Sequence, residues 1–569
     1  MCATSSSNLD LSDRLLNIDL NPRPFGPGES GLPTSKGEPQ SWLTRGRPRL
    51  TDLTAWLQRV WLRRAASLLS GFLLFAIFPN LGWHHLLWVA CLPLLLACLF
   101  EPKLRGGFLN GYLAGAVFFT GSCYWFVSVV GHYGGLGLGL SLGVLALFVA
   151  VFSVFFGTFG GVLTWMARGS RGVALIAAPF LWVAMELART YLITGFPWNL
   201  LGYVVEAQGL RQVAAFASVY GLSFAAAATS ALVGWAVVER RRSGARLAAV
   251  AVWTIGLITL NLSLSPPHHI EGRAAAVLVQ ANVPMEEGAL ARWAPWNNRA
   301  PLDRLIELSE TNLPSPPPPG SSPLIVWPEN PAPFYFGRDP IFLGTVEQMA
   351  RQARAYAVIP TTFYAGPGNE RPKNSAVVLD PSGRDIFEYA KIHLVPFGEY
   401  VPRWAFPNKI GKITYEVGAF VPGNTFESAR TPQGAITVFI CYEAIFPQLV
   451  RRLTAPGPGV LVNVSDDGWY GDSSAAAEHL MMARFRAIEN GRYLLRATNN
   501  GITAVVDPYG RVVEELPRNR QMALRARFDY ESRRTFYSAH GDVFAWVCVA
   551  VTMVLLTAAG IEGRRSRIR

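Results

Sequence analysis

The sequence predicts two folds in one chain: a polytopic α-helical membrane domain of about eight spans, and a water-soluble α/β layered domain inserted before the last span. Three observations carry this. No Asp, Glu, Lys or Arg occurs between Arg105 and Arg168. Lys and Arg gather at alternate junctions between apolar stretches. From Ala274 to Val506, short apolar runs alternate with helical patterns, as expected of layered α/β structure.

A bilayer core takes about 20 apolar residues per helix, which places spans at roughly 66–78, 85–100, 108–130, 138–166, 173–193, 212–237, 247–264 and 543–560. The first is short. Ahead of it, a Ser-, Pro-, Gly- and Asn-rich tail lacks the pattern of a cleavable signal peptide, so the first span is expected to stay as an uncleaved anchor. The domains expected are a disordered cytoplasmic tail (1–60), a membrane domain with seven helices (61–265), a soluble domain (270–540), and an eighth helix with a basic tail (541–569).

Basic residues flanking short loops stay in the cytoplasm. Arg59, Arg63 and Arg64 precede the first span; Lys103 and Arg105, Arg168 and Arg171, and Arg240 to Arg242 with Arg246 mark the other inner junctions. Both termini are therefore expected inside and the soluble domain outside. The same rule explains the net charge of +12. Residues 272–540 hold 28 Lys and Arg against 26 Asp and Glu, a net of only +2, so the basic excess belongs to inner loops and no nucleic-acid partner is expected.

In the soluble segment, strand-like runs occur at Ala274–Val279, Leu324–Trp327, Ala355–Thr361, Ser375–Leu379, Ile436–Ile440, Val460–Val464, Tyr493–Ala497 and Ile502–Val506. Helical patterns occupy Pro301–Leu313, Pro340–Ala355 and Ala475–Gly491. The run Pro316–Pro319 reads as a loop within this domain. Ligands of such folds collect at the carboxyl ends of strands.

Three segments place chemistry there. Pro328 cannot donate to a sheet ladder, so it takes the chain out of its strand and presents Glu329. The loop from Tyr389 to Pro402, rigid with two prolines and a glycine, carries Lys391, His393 and Glu399. Cys441 ends the run Val438–Ile440 and is followed by Tyr442 and Glu443. Of six cysteines it alone lies in the soluble segment, so no internal disulfide is open to it there. A thiol is mostly protonated at neutral pH and needs a base and a cation to act as a nucleophile; Glu329 and Lys391 supply both. Each taken alone also reads blandly: a solvated glutamate, a surface lysine, a packed cysteine.

Taken in order, Trp-Pro-Glu329, Lys391-Ile-His-Leu-Val-Pro-Phe-Gly-Glu399 and Ile-Cys441-Tyr-Glu443 resemble the carbon-nitrogen hydrolase (nitrilase) superfamily. Thr194–Trp198, Asp467–Asp472 and Arg496–Gly501, with the span pattern, resemble its apolipoprotein N-acyltransferase branch from about residue 62 onward. The resemblance implies an extracytoplasmic nitrilase-like αββα sandwich, with Glu329 as general base, Lys391 as oxyanion stabiliser and Cys441 as nucleophile. It implies supporting roles for Glu399, Glu443 and Tyr442, and a substrate path past Trp469 and Trp198. Ser465-Asp466-Asp467-Gly468-Trp469 departs from the usual Asn-Asp-Ala form without touching the triad.

What the resemblance implies further is an acyl donor among membrane phospholipids, phosphatidylethanolamine first. The acceptor is the α-amino group of an S-diacylglyceryl cysteine on an apolipoprotein. The expected enzyme is a monomer in the bacterial cytoplasmic (inner) membrane, with no cofactor and no metal. A membrane-anchored amidase acting on a small C–N substrate would use the same residues. A transporter is disfavoured by the few charges within the spans. A zinc enzyme is disfavoured because His84-His85 and His268-His269 fall at span ends. Glu186 and Arg189, three apart in the fifth span, are expected to pair with each other.

Overall fold

A computed structural model describes residues 57–133, 135–238, 243–267, 272–283, 299–315, 320–329, 339–364, 372–400 and 420–568. Nearly all of the expected N-terminal tail, and the Pro316–Pro319 run, lie outside the described residues.

Among the described residues, five helices are long and apolar enough to cross a membrane: Leu138–Gly169, Arg171–Tyr191, Ala214–Val238, Gly244–Ser263 and Val543–Ile561. A sixth crossing results if the bent pair Leu104–Ser122 and Phe126–His132 counts as one. The two remaining expected spans are helical but short. Val60–Ala76 has 17 residues, and His84–Leu99 opens as a 3-10 turn before Leu92–Leu99. The third expected span is not continuous: it bends by 59°. At the bend Trp125 donates Nε1–H to the Ser122 carbonyl (3.0 Å) and packs against Trp198 (5.1 Å) and Tyr470 (4.9 Å).

Glycines at every fourth position, Gly107, Gly111 and Gly115, let Leu104–Ser122 close on Leu138–Gly169 backbone to backbone. A Cβ on Gly111 would run into the Phe156 carbonyl. Close approach over small residues is how helices associate where lipid removes the hydrophobic driving force. Buried Arg63 pairs with Glu101 at 2.8 Å and donates to the Leu57 and Gln58 carbonyls, so neither charge is left unpaired away from water.

The expected mutual pair of Glu186 and Arg189 is not formed. Glu186 Oε1 accepts from Trp182 Nε1 (3.0 Å) and the Leu201 N–H (2.8 Å), and Arg189 Nη1 donates to the Trp198 carbonyl (2.9 Å). The connection they hold lacks a helix or sheet ladder, so its buried backbone groups need side-chain partners. Ile193, Thr194 and Asn199 in it are left-handed (φ 55°, 67° and 53°).

Among the described residues the soluble domain forms two six-stranded sheets. The first is built from β1 (Ala274–Gln280), β2 (Leu324–Val326), β3 (Tyr356–Tyr364), β4 (Pro372–Leu379) and β5 (Asp385–Ala390). The second takes β6 (Ala429–Thr431), β7 (Gly434–Ile440), β8 (Gly459–Ser465), β9 (Leu494–Thr498), β10 (Ala504–Val506) and β11 (Val512–Glu515); β12 (Met522–Phe528) returns to the first. Their orders are β12-β1-β2-β3-β4-β5 and β11-β10-β9-β8-β7-β6. Each has three central parallel strands with antiparallel strands outside, so one pattern is used twice.

Strand periodicity of two sorts the first sheet into two faces. Ala276, Leu278, Leu324, Val326, Val358 and Val378 join the core shared with the second sheet, in company with Val438, Ile440 and Val462. Val277, Val279, Ile325, Trp327, Ile359 and Val377 face the other way, packing with Leu305 of Ala300–Thr311 and Phe342 of Pro340–Ala353. The result is a helix-sheet-sheet-helix sandwich. All eight expected runs form strands. Those not expected, β5, β6, β11 and β12, are outer or half-exposed strands with no continuous apolar run.

The helix Ala475–Asn490 docks this sandwich on the membrane domain. Glu478 Oε2 accepts from Trp198 Nε1 (2.6 Å), Arg486 Nη2 donates to the Tyr203 hydroxyl (3.1 Å), and Glu489 Oε1 accepts from Ser218 Oγ (2.6 Å). The last bond accounts for a break in Ala214–Val238, where Ser218 leaves helical geometry (φ 55°, ψ −168°).

Candidate active site

Glu329, Lys391 and Cys441 come from three strand ends, and all are buried, at 3%, 1% and 6% exposure. Glu329 follows β2, Lys391 follows β5 and Cys441 follows β7. Their convergence joins the two sheets, since Lys391 and Glu329 belong to the first and Cys441 to the second.

Polar contacts fix each group. Glu329 Oε1 accepts from Asn374 Nδ2 (2.8 Å) and lies 3.5 Å from Lys391 Nζ, while Oε2 accepts from the Asp466 N–H (3.0 Å). Lys391 Nζ donates to Glu399 Oε1 (2.8 Å), which also accepts from Asn374 Nδ2 (2.8 Å); Glu399 Oε2 takes the Val395 N–H (2.7 Å). An ammonium has three donors, so two carboxylates leave one for an oxyanion. Glu443 binds both sides of the site. Its Oε1 accepts the Ile392 and His393 N–H groups (2.7 and 3.0 Å) and its Oε2 accepts the Ile440 N–H (2.8 Å), with the Tyr389 hydroxyl donating at 2.8–2.9 Å. One carboxylate thus ties the strand end bearing Lys391 to the strand end bearing Cys441.

Cys441 opens the 3-10 turn Cys441–Ile445 in the left-handed region (φ 50°). A non-glycine residue there costs on the order of 1–3 kcal/mol and persists only where its surroundings over-determine it. The opening N–H groups of such a turn have no partner within it, so they suit a developing negative charge.

Burial pushes the Cys441 thiol well above its ordinary range, and the Glu329 carboxylate adds to this while Lys391 opposes it. The resting thiol is therefore protonated. Burial alone would lower Lys391, but Glu399 and then Glu329 outweigh it and hold the ammonium charged. Burial and Lys391 push His393 down to about 4, so this imidazole is neutral; it packs on Phe446 with the rings tilted by 35° and their centroids 3.9 Å apart.

Tyr442 is buried and its hydroxyl donates to the Gly195 carbonyl (3.3 Å), which seats the turn beginning at Cys441 on the membrane-domain loop. Trp198, expected along a substrate path, is 1% exposed and donates its Nε1–H to Glu478. Trp469 is half-buried in the turn Asp467–Tyr470. Its neighbour Tyr470 is the residue that packs on Trp198 (5.7 Å) and His479 (5.9 Å). Sequence reasoning missed Asn374, Asp466 and His479. Asn374 sits in an ordinary strand with no local signal; Asp466 lies in the Ser465–Trp469 segment already noted as unusual.

Asp466 has a measurable consequence. Burial pushes its carboxyl up to about 8, with Glu329 adding to the shift and the Gly468 N–H opposing it. Burial likewise pushes Glu443, Glu478 and Glu489 up to about 7. A carboxyl raised in the fold keeps a proton that the unfolded chain has released, so its stability is present at low pH and lost as pH rises through the folded value. His393 acts in the opposite sense, but only below its ordinary value of 6.5. Thermal stability should therefore fall from pH 6.5 to pH 8, by about 1.4 kcal/mol per pH unit for each proton retained. Asp466→Asn should flatten that slope in melting curves; an unchanged slope would remove Asp466 as its source.

Among the described residues no group of His, Cys, Asp and Glu could hold a metal ion. Residues 276–536 match the carbon-nitrogen hydrolase family, and residues 70–232 match the apolipoprotein N-acyltransferase N-terminal domain. An apolipoprotein N-acyltransferase of Geobacter metallireducens is 35% identical over 526 residues, covering 90% of this chain and 98% of the relative. One of Methylococcus capsulatus is 32% identical, covering 87% and 94%. Among solved structures, an amidase from Nesterenkonia sp. is 19% identical with a TM-score of 0.32, covering 46% of this chain and 93% of its own.

Proposed function

This chain belongs to the apolipoprotein N-acyltransferase family, and from that membership we propose a two-stage acyl transfer carried on Cys441. Glu329 takes the proton from the Cys441 thiol as the sulfur attacks an ester carbonyl of a membrane phospholipid, phosphatidylethanolamine first. The tetrahedral oxyanion forms beside Lys391. It collapses by breaking the ester C–O bond, and Glu329 returns the proton to the departing lysophospholipid oxygen. In the second stage the α-amino group of the S-diacylglyceryl cysteine of an apolipoprotein attacks the thioester. Glu329 takes the amine proton, Lys391 again meets the oxyanion, the C–S bond breaks and the thiol is reprotonated.

Glu399 orients Lys391, and Glu443 with Tyr442 holds the nucleophile turn. Trp469, half-buried beside Tyr470, borders the substrate path. The protein acts as a monomer in the bacterial cytoplasmic membrane; its catalytic domain lies on the outer side, an orientation supported by the alternation of basic junctions.

The observation that carries a lipid donor, rather than a small C–N substrate, is the seating of the nucleophile turn on the membrane domain through Tyr442 and Gly195. A donor chain left in the bilayer avoids an extraction cost of about 0.8 kcal/mol per CH₂. Initial rates test it. Phosphatidylethanolamine varied at several fixed concentrations of a diacylated lipopeptide should give parallel double-reciprocal lines, with one lysophospholipid released per lipopeptide acylated. Intersecting lines would contradict the shared thioester, and turnover of a short aliphatic amide without lipid would favour the anchored amidase.

A further inference from the structure

His479 lies directly behind the nucleophile, on the helix that docks the two domains. It is fully buried, and its Nε2 donates to the Cys441 carbonyl at 3.1 Å. A carbonyl only accepts, so Nε2 carries a proton in any state that keeps the contact. The other ring nitrogen lies 3.0 Å from Asp467 Oδ1 and 3.2 Å from Arg496 Nη2. Asp467 and Arg496 are themselves locked: Arg496 Nη2 donates to Asp467 Oδ2 at 2.7 Å, Ser465 Oγ donates to Oδ1 at 2.9 Å, and Arg496 Nη1 donates to Asn463. The imidazole is thus held at Nδ1 by the turn after β8 and by β9, and its Nε2 bond goes to the one residue of the triad in a left-handed conformation.

The adjacent residue on that helix, Glu478, accepts from Trp198 of the membrane domain, and the Trp198 and His479 rings stand 5.9 Å apart. The same helical turn therefore contacts both the membrane-domain loop and the nucleophile backbone.

We propose that His479 is a positioning residue: its bond to the Cys441 carbonyl, anchored by Asp467 and Arg496, holds the nucleophile in the strained turn that brings its thiol within reach of Glu329 and Lys391. This rests on Cys441 being the nucleophile. His479 does not exchange a proton with substrate in this role, and its removal leaves the Asp467–Arg496 pair intact, so the effect falls on the Cys441 backbone. A misplacement of about 1 Å in a reacting group can lower a rate about 100-fold.

The test reads Cys441 reactivity without any lipid substrate. The full-length protein in detergent is treated with iodoacetamide, and alkylation of the Cys441 peptide is followed by mass spectrometry; Cys91, Cys98, Cys123 and Cys548 are buried and report separately. His479→Leu should slow Cys441 alkylation about 10- to 100-fold. His479→Gln, whose amide reaches the Nε2 position, should restore it to within about 3-fold, whereas His479→Asn, too short to reach, should not. In acyl transfer the variants should lower kcat and leave KM for the lipopeptide unchanged. Equal alkylation rates in the Gln and Asn variants would overturn the inference, and that comparison stands even where the Leu variant does not fold. A reactive Cys441 in the unsubstituted protein with no change in any His479 variant would overturn this inference alone. An unreactive Cys441 in the unsubstituted protein would overturn the nucleophile assignment as well.

Discussion

Cys441→Ala should abolish acyl transfer, lowering the rate by about 10⁴-fold or more, while the protein stays folded. The size of the effect follows from the role: without the sulfur no thioester forms, and loss of a covalent nucleophile removes nearly all of the machinery built around it. Folding should survive because the side chain is small and its backbone is held by other groups, His479 at the carbonyl and Glu443 on the preceding strand residue. Cys441→Ser is a sharper probe of chemistry. A hydroxyl is a poorer nucleophile beside the same base, so the variant should release no lysophospholipid above background. Activity in either variant within about 10-fold of the unsubstituted protein would mean that the acyl group travels by another route. Melting curves alongside the rates separate loss of chemistry from loss of fold.

Glu329→Gln is the second large effect. Among the described residues Glu329 is the carboxylate whose field raises the Cys441 thiol and which also lies near Lys391, and the proposed mechanism makes it the base in both stages. Losing a general base costs about 10²- to 10⁴-fold, and lysophospholipid release and lipopeptide acylation should fall together. The substitution also has a structural price. The amide must accept from Asn374 on one side and face the Asp466 N–H on the other, so one buried donor loses its acceptor, at about 1–3 kcal/mol. Stopped assays that find the first stage intact and only the second slowed would rule out Glu329 as the shared base.

Glu329 and Cys441 were legible because each follows a short strand-like run, and Lys391 because it opens a loop marked by proline and glycine; Pro328 likewise marks the chain leaving its strand before Glu329. The sandwich was legible for the same reason: its central strands are buried on both faces and read as unbroken apolar runs. Strands β5, β6, β11 and β12 were not, since partly exposed outer strands carry mixed residues. Nor were the partners that act across the sequence. Asn374 bridges Glu329 and Glu399, and His479 reaches Cys441, only after the sheets assemble. The membrane domain deviates from uninterrupted spans where it meets the soluble domain. Trp125 bends one helix to pack on Trp198 and Tyr470, Ser218 breaks another to reach Glu489, and Arg189 leaves Glu186 to hold the Trp198 carbonyl. Hydropathy registers apolar length and carries no record of such tertiary contacts.

The departure at Glu186 and Arg189 bears on function as well as fold. Two buried charges would be costly in a bilayer, and here both are spent on the loop that touches Tyr442 and Glu478. That loop is the physical link between the helices and the Cys441 turn, and it places Cys441 in a fixed relation to the membrane domain.

The central claim is that Cys441 carries the acyl group, and the most direct test is the intact mass of the protein after incubation with phosphatidylethanolamine alone. The account predicts a mass increase of one fatty acyl group, mapped to the Cys441 peptide, which disappears on adding a diacylated lipopeptide as the lipopeptide gains the same mass. An unmodified protein that nevertheless acylates the lipopeptide, or an adduct on any other residue, would contradict it.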